Sequence, residues 1–150
     1  MWRPADSTDA AAIVRMCAAL YVEDPGSARA PEEQMERTLR VLREEPDRGR
    51  AVVLDIDGRV CGYALLIAFW SNEFGGAVCT IDELYVESSE RGRRHATHLI
   101  EQLTAGTEPW VPEAVVLMLE VTPGNTRARR LYERLGFDAG NQLMRRRLRP

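Results

Sequence analysis

The sequence predicts an α+β fold in which four helices flank a mixed sheet of about seven strands, within a single domain spanning residues 1–150. Three observations predict it. Residues 51–56, 60–69 and 77–86 are apolar runs rich in β-branched residues and separated by turn residues, the pattern of an antiparallel meander. A helical stretch at 93–105 followed by the apolar run 115–121 then gives strand, crossover helix and strand, which makes a parallel pair. The length of 150 residues suits one core, burying roughly two-thirds of the unfolded surface.

Taken in order, residues 1–5 read as a short strand, and Ser7, Thr8 and Asp9 supply capping residues for a helix carrying Ala12, Ile13, Met16 and Leu20 at helical spacing. The loop from Glu23 to Gly26 ends it. Pro31 and two following glutamates start a second helix, because proline suits the first turn and carboxylates favour the positive end of the helix dipole. Pro46 closes that helix. Asp57-Gly58 tolerates the positive φ angles of a tight hairpin, and residues 71–76 form a second turn. The run 115–121 reads as a central strand buried on both faces. A last helix from Asn125 to Leu135 stops at Gly136, and residues 137–148 form a closing hairpin around 139–141.

An apolar share of 45% and a charged share of 29% are those of an ordinary globular chain. No run approaches the ~20 apolar residues of a membrane span, and residues 1–9 lack the apolar stretch of a signal peptide, so the expected location is the cytoplasm. Cys17, Cys61 and Cys79 are odd in number and scattered, which argues for buried thiols and against disulfides or a zinc site. All 20 basic residues are arginine, yet the net charge of −3 gives no reason to expect nucleic acid or an anionic membrane as partner.

Two segments carry the candidate chemistry. Residues 84–97, Leu84-Tyr85-Val86 through Arg91-Gly92-Arg93-Arg94-His95-Ala96-Thr97, join a strand to a helix, and unpaired N–H groups beside arginines at a helix start suit a pyrophosphate. In the second, Asn125, Ala128, Tyr132 and Leu135 recur at helical spacing and share a face, with Asn125 at the cap. Each segment alone also fits an ordinary solvated turn or a capped amphipathic helix.

Together, in this order and at this separation, the segments resemble the GNAT superfamily of acyl-CoA N-acyltransferases. That family's phosphate loop runs Arg/Gln-x-x-Gly-x-Gly/Ala after a strand ending in a hydrophobic-Val pair, and its later helix reads Asn-x-x-Ala-x-x-Leu-Tyr-x-x-Leu-Gly-Phe. The second pattern is complete from Asn125 to Phe137; the first matches at Val86, Arg91, Gly92 and Ala96 and departs at Arg94, where the family has glycine. His95 likewise replaces an aliphatic residue. The likeness runs from Arg3 to the end of the chain.

The resemblance implies acetyl-CoA as co-substrate, with no metal. Its pantetheine would lie beside Leu84, Tyr85 and Val86, its phosphates on the turn from Arg91 to Thr97, and Asn125, Ala128 and Tyr132 on the facing helix. Tyr132 resembles the tyrosine that donates a proton to the leaving sulfur. The acceptor amine must arrive neutral although its pKa is near ~10.4, so a base is needed. Glu120, Glu83 and Asp82 are the candidates, with Asp82 and Glu83 expected on opposite faces of their strand because side chains alternate.

Acceptor selectivity in the family comes from the first two helices and the turn before the fourth strand, which here bring Tyr21, Glu23, Asp24, Glu32, Glu33, Trp70, Glu73 and Phe74. Carboxylates and aromatic faces favour a small cationic amine, polyamine or aminoglycoside-like, with a peptide N-terminus or lysine as the alternative. A CoA sensor without activity, suggested by Arg94, is the alternative of another class. Many relatives are dimers, so a homodimer is compatible with the resemblance.

Overall fold

A computed structural model describes residues 1–25, 32–106, 114–140, 143–146 and 148. Strands β1 (Trp2–Pro4), β2 (Gly49–Ile56), β3 (Arg59–Ser71), β4 (Gly76–Val86) and β5 (Ala114–Leu119) form one sheet in sequential order. The first three junctions are antiparallel and β4 pairs β5 in parallel. Helices α1 (Ala10–Glu23), α2 (Glu32–Glu44), α3 (His95–Ala105) and α4 (Thr126–Arg134) complete the fold.

Each helix follows from local chemistry, with some shifts from expectation. The N-terminal cap lies at Asp6: its carboxylate accepts from the Thr8 N–H while the Asp9 carboxylate accepts from the Asp6 N–H, a reciprocal box at the head of the short 3₁₀ turn Ser7–Asp9. Asp9 is buried there because Arg3 grips both its oxygens, at 2.8 and 3.0 Å. The predicted start of α2 at Pro31 lies outside the described residues. Helix α3 begins two residues later than expected, at His95.

The sheet separates two apolar layers. On one face Ile13, Met16 and Cys17 of α1 and Met35, Leu39 and Leu42 of α2 pack on Val53, Tyr63, Leu65 and Tyr85. On the other, Leu99 and Ile100 of α3 pack on Trp2, Leu54, Leu66, Cys79 and Ile81, with Tyr132, Leu135 and Phe137 at the margin. Leu99 is fully buried, so Leu99→Ala would cost about 2–5 kcal/mol.

Three features depart from the sequence reading. The described sheet has five strands, not seven: residues 137–140 and 143–146 carry no strand, and the centre of the expected closing hairpin, at 141–142, lies outside the described residues. The arginine-rich segment 145–147 offers no apolar alternation to bury against β5. Strand β5 is the last strand described, with Val115 56% and Met118 41% exposed, so among the described residues it is not buried on both faces.

The third concerns β4. Leu65 pairs with Glu83 and Leu66 with Ile81, so Asp82 is an extra residue, a β-bulge. Strict alternation therefore fails here. Ile81 faces the α3 layer while Glu83, two residues on, sits with Leu65 on the α1–α2 side. The same point ends the parallel pairing, whose last partners are Ile81 and Leu119. Strand β4 continues to Val86 paired with β3 but no longer with β5, while the chain beyond β5 turns into α4, and β4 and β5 part like a wedge.

Candidate active site

The wedge opens into a cleft of about 860 Å³, within the ~300–1,000 Å³ of small-molecule sites. Its walls are the end of β4, the turn into α3, the residues from Thr122 to Tyr132 around the start of α4, and the C-terminal end of α1. Of the residues expected to hold the donor, Leu84, Tyr85, Val86, Arg91, Gly92, Arg94, His95, Ala96, Thr97, Asn125, Ala128 and Tyr132 all line it. Arg93 does not; its guanidinium faces Glu90 at 3.3 Å instead.

The turn into α3 is shaped by its backbone. Gly92 has φ 82° and Arg94 φ 64°, with Arg93 between them outside the positive-φ region. Such alternation turns successive N–H groups to one side, an anion-binding concavity. The N–H of His98 bonds the Arg94 carbonyl, so those of residues 95–97 have no partner within the helix. Arg94 thus adopts the left-handed conformation that glycine takes most easily. Its side chain reaches Glu101 at 3.2 Å.

Arg91 is held from three sides. Its Nε donates to the Val86 carbonyl at 2.8 Å, its guanidinium lies 5.2 Å from the Tyr85 ring centre, and Glu23 pairs with it at 2.6 Å. The Tyr85 hydroxyl donates to the other Glu23 oxygen at 2.8 Å. Burial pushes the Glu23 carboxyl up, but Tyr85 and Arg91 together outweigh it and hold the group below the usual carboxylate range. Behind the turn, buried Glu90 pairs with Arg59 at 2.8 Å and faces His95 Nε2 at 3.9 Å.

On the opposite wall Asn125 caps α4, its side-chain oxygen accepting from the Ala128 N–H at 3.0 Å. Its amide donates to Asp24 at 2.7 Å, and the Thr122 hydroxyl donates to the other Asp24 oxygen at 2.6 Å. Tyr132, two turns along, packs edge-on against Phe137 at 5.8 Å. Burial first, and the Asp24 charge second, raise the Tyr132 phenol above its ordinary value, so it carries its proton at neutral pH.

The three carboxylates considered as bases differ sharply. Glu83 accepts from the Tyr21 hydroxyl at 2.9 Å and the Tyr63 hydroxyl at 2.6 Å; burial raises its pKa more than these bonds lower it. Asp82 reaches solvent, yet partial burial and the charge of Glu120 raise it too. Glu120 lies one residue beyond β5 and is 63% exposed, with Arg145 at 3.9 Å. Of the acceptor candidates, Glu23 and Asp24 line the cleft and Tyr21 touches Glu83. Trp70, Glu73 and Phe74 sit at the β3–β4 turn, about 25 Å from the cleft residue Leu84 along β4 at ~3.3 Å per residue.

A family model described as the acetyltransferase (GNAT) family matches residues 15–137. The chain belongs to that family. It is therefore an acyl-CoA-dependent N-acyltransferase, and the turn into α3 and Tyr132 both fall within the matched segment. No curated protein sequence matches this acetyltransferase. Among solved structures, a possible acetyltransferase from Clostridium difficile 630 is similar at TM-score 0.81 and 19% identity, with 98% of this chain and 95% of that one covered. A ribosomal-protein-alanine N-acetyltransferase from Brucella melitensis biovar Abortus 2308 gives 0.75 and 20%, with 99% of each chain covered. An aminoglycoside N-acetyltransferase in complex with CoA gives 0.76 and 19%, covering 100% of this acetyltransferase and 95% of that chain. At these identities the neighbours share the fold.

Sequence reasoning missed the supports of the site. Tyr63 was legible as a strand residue, but nothing local says that its hydroxyl meets Glu83 twenty residues later. Glu90 has the signal of a carboxylate amid arginines, which a solvated turn shares. Among the described residues no group of three or more His, Cys, Asp and Glu could hold a metal, and no helix is long and apolar enough to cross a membrane.

Proposed function

We propose that this acetyltransferase moves acetyl from acetyl-CoA directly to a primary amine of a small cationic acceptor. The observation that carries the reading is the single cleft joining the unpaired N–H groups of residues 95–97 to the Tyr132 phenol along the unpaired edge of β4. The donor fits it: phosphates match the N–H cradle, and an amide-bearing arm matches a strand edge without a partner. When bound, the donor supplies the thioester carbonyl that the amine attacks.

The residues then have separate tasks. Tyr132 donates its proton toward the departing sulfur. Glu120 takes a proton from the acceptor ammonium so that a lone pair is free. Glu83, turned toward α1 and holding two tyrosine hydroxyls, stabilises the bulge. Asp82 and Glu120 at the reacting end and Asp24 in the cleft make the acceptor's surroundings acidic, which favours a cation.

Thiol release from acetyl-CoA against polyamines, aminoglycosides, amino acids and short peptides tests this. The expected result is saturable release with the small cationic amines, and a Glu120→Gln loss that recovers at high pH, where neutral amine is abundant. Release with alanine-initiated peptides alone would point to a protein N-terminus, the substrate class in the Brucella protein's name. CoA binding without turnover on any amine would make the protein a sensor.

A further inference from the structure

Glu23 and Asp24 are adjacent at the end of α1 and both line the cleft, yet only one is neutralised. Glu23 has the Arg91 guanidinium at 2.6 Å. Asp24 has the Thr122 hydroxyl and the Asn125 amide, two neutral donors, and among the described residues no cation within ion-pair distance. Those two bonds span from α1 to the entry of α4, 98 and 101 residues along the chain, so the carboxylate is fixed in place. Each oxygen keeps a further lone pair. A half-buried carboxylate in a cleft, rigidly held and with no counter-charge among the described residues, is suited to receive a cation.

The reacting nitrogen cannot be that cation, because it must lose its proton to attack. A second cationic group on the same acceptor would supply that charge. We propose that Asp24 is the specificity-determining residue for the acceptor, and that it selects diamines by receiving the ammonium of the non-reacting end while the other nitrogen lies at Tyr132. The assignment rests on the acetyltransferase reading above and names what selects its substrate. The Asp24 charge is close enough to Tyr132 to raise the phenol, which places the two groups within one small molecule's reach.

The test is a comparison of α,ω-diamines of three to five carbons with the matching monoamines, by thiol release, in wild type and Asp24→Asn, with CoA affinity measured separately by calorimetry. Wild type should prefer a diamine by about tenfold or more in kcat/KM, the size of one charge-assisted contact. Asp24→Asn should bring that preference toward unity through the diamine KM, with the CoA dissociation constant held. Raising ionic strength on the wild type should shrink the preference as well, a result independent of how the variant folds. Equal losses for both amines, or a parallel loss of CoA affinity, would make Asp24 a strut for Asn125 and overturn the proposal alone. Wild type that binds CoA but acetylates neither amine would overturn the acceptor reading and this proposal with it.

Discussion

The two walls of the cleft handle charge in opposite ways. On the donor wall every arginine of the phosphate turn already has a carboxylate: Arg91 has Glu23, Arg93 has Glu90 and Arg94 has Glu101. What remains free there is backbone N–H. Across the cleft Asp24 has, among the described residues, no cation within ion-pair distance; outside the cleft lining, Asp82 stands near the acid Glu120, which has Arg145 at 3.9 Å. On the proposed reading the donor is recognised mainly by backbone shape, with Arg91 adding one charged contact. On the same reading the acceptor is recognised by negative charge that no described cation offsets, which side-chain change would alter directly.

Substitutions can break that contrast. Tyr132→Phe removes the proton donor and keeps the ring, so kcat should fall by about a hundredfold or more with CoA affinity retained, the pattern of an interaction made mainly in the transition state. Steady-state thiol release beside calorimetry measures both. Arg91→Ala should weaken CoA about tenfold, the worth of one charge-assisted contact, and weaken pantetheine fragments lacking the pyrophosphate less. Equal losses would place the phosphates elsewhere.

Two smaller effects sharpen the comparison. Burial raises the folded-state pKa of Glu83 above its ordinary 4.5, against the pull of Tyr63 and Tyr21. The native state then binds this proton more tightly than the unfolded chain, so the stability is present below that ordinary value and is lost as pH rises through the raised one. Urea unfolding across that window should show stability falling with pH, a steeper fall in Tyr63→Phe, and a flatter one in Glu83→Gln. Arg94→Gly should do least: it relieves a left-handed non-glycine and removes an exposed ion pair, for a net change within about 1 kcal/mol, while CoA affinity holds.

Much of this was legible in the sequence because it is local. The Asp57-Gly58 hairpin, the Asn125 cap and the stop at Gly136, φ 88°, each rest on residues within a turn of one another. The meander and the parallel pair followed from patterns of apolar residues, and many of the residues that line the cleft from the segments 84–97 and 125–132. The bulge at Asp82 was hidden, since it depends on how Leu65 and Leu66 register against β4. The links from Glu23 and Asp24 to residues 62 to 101 positions away were equally hidden, because nothing near them in sequence names their partners. The outer face of β5 was misread because a continuous apolar run looks the same in the middle of a sheet and at its edge.

The central claim is that the donor's phosphates rest on the backbone of the turn into α3. Amide hydrogen exchange with and without CoA tests it most directly, since the N–H groups of residues 95–97 have no helical partner to slow them in the free protein. Slowed exchange confined to residues 92–97 and the β4 edge at 84–86 is the predicted result. Unchanged exchange through the turn, with protection appearing only elsewhere, would contradict the account.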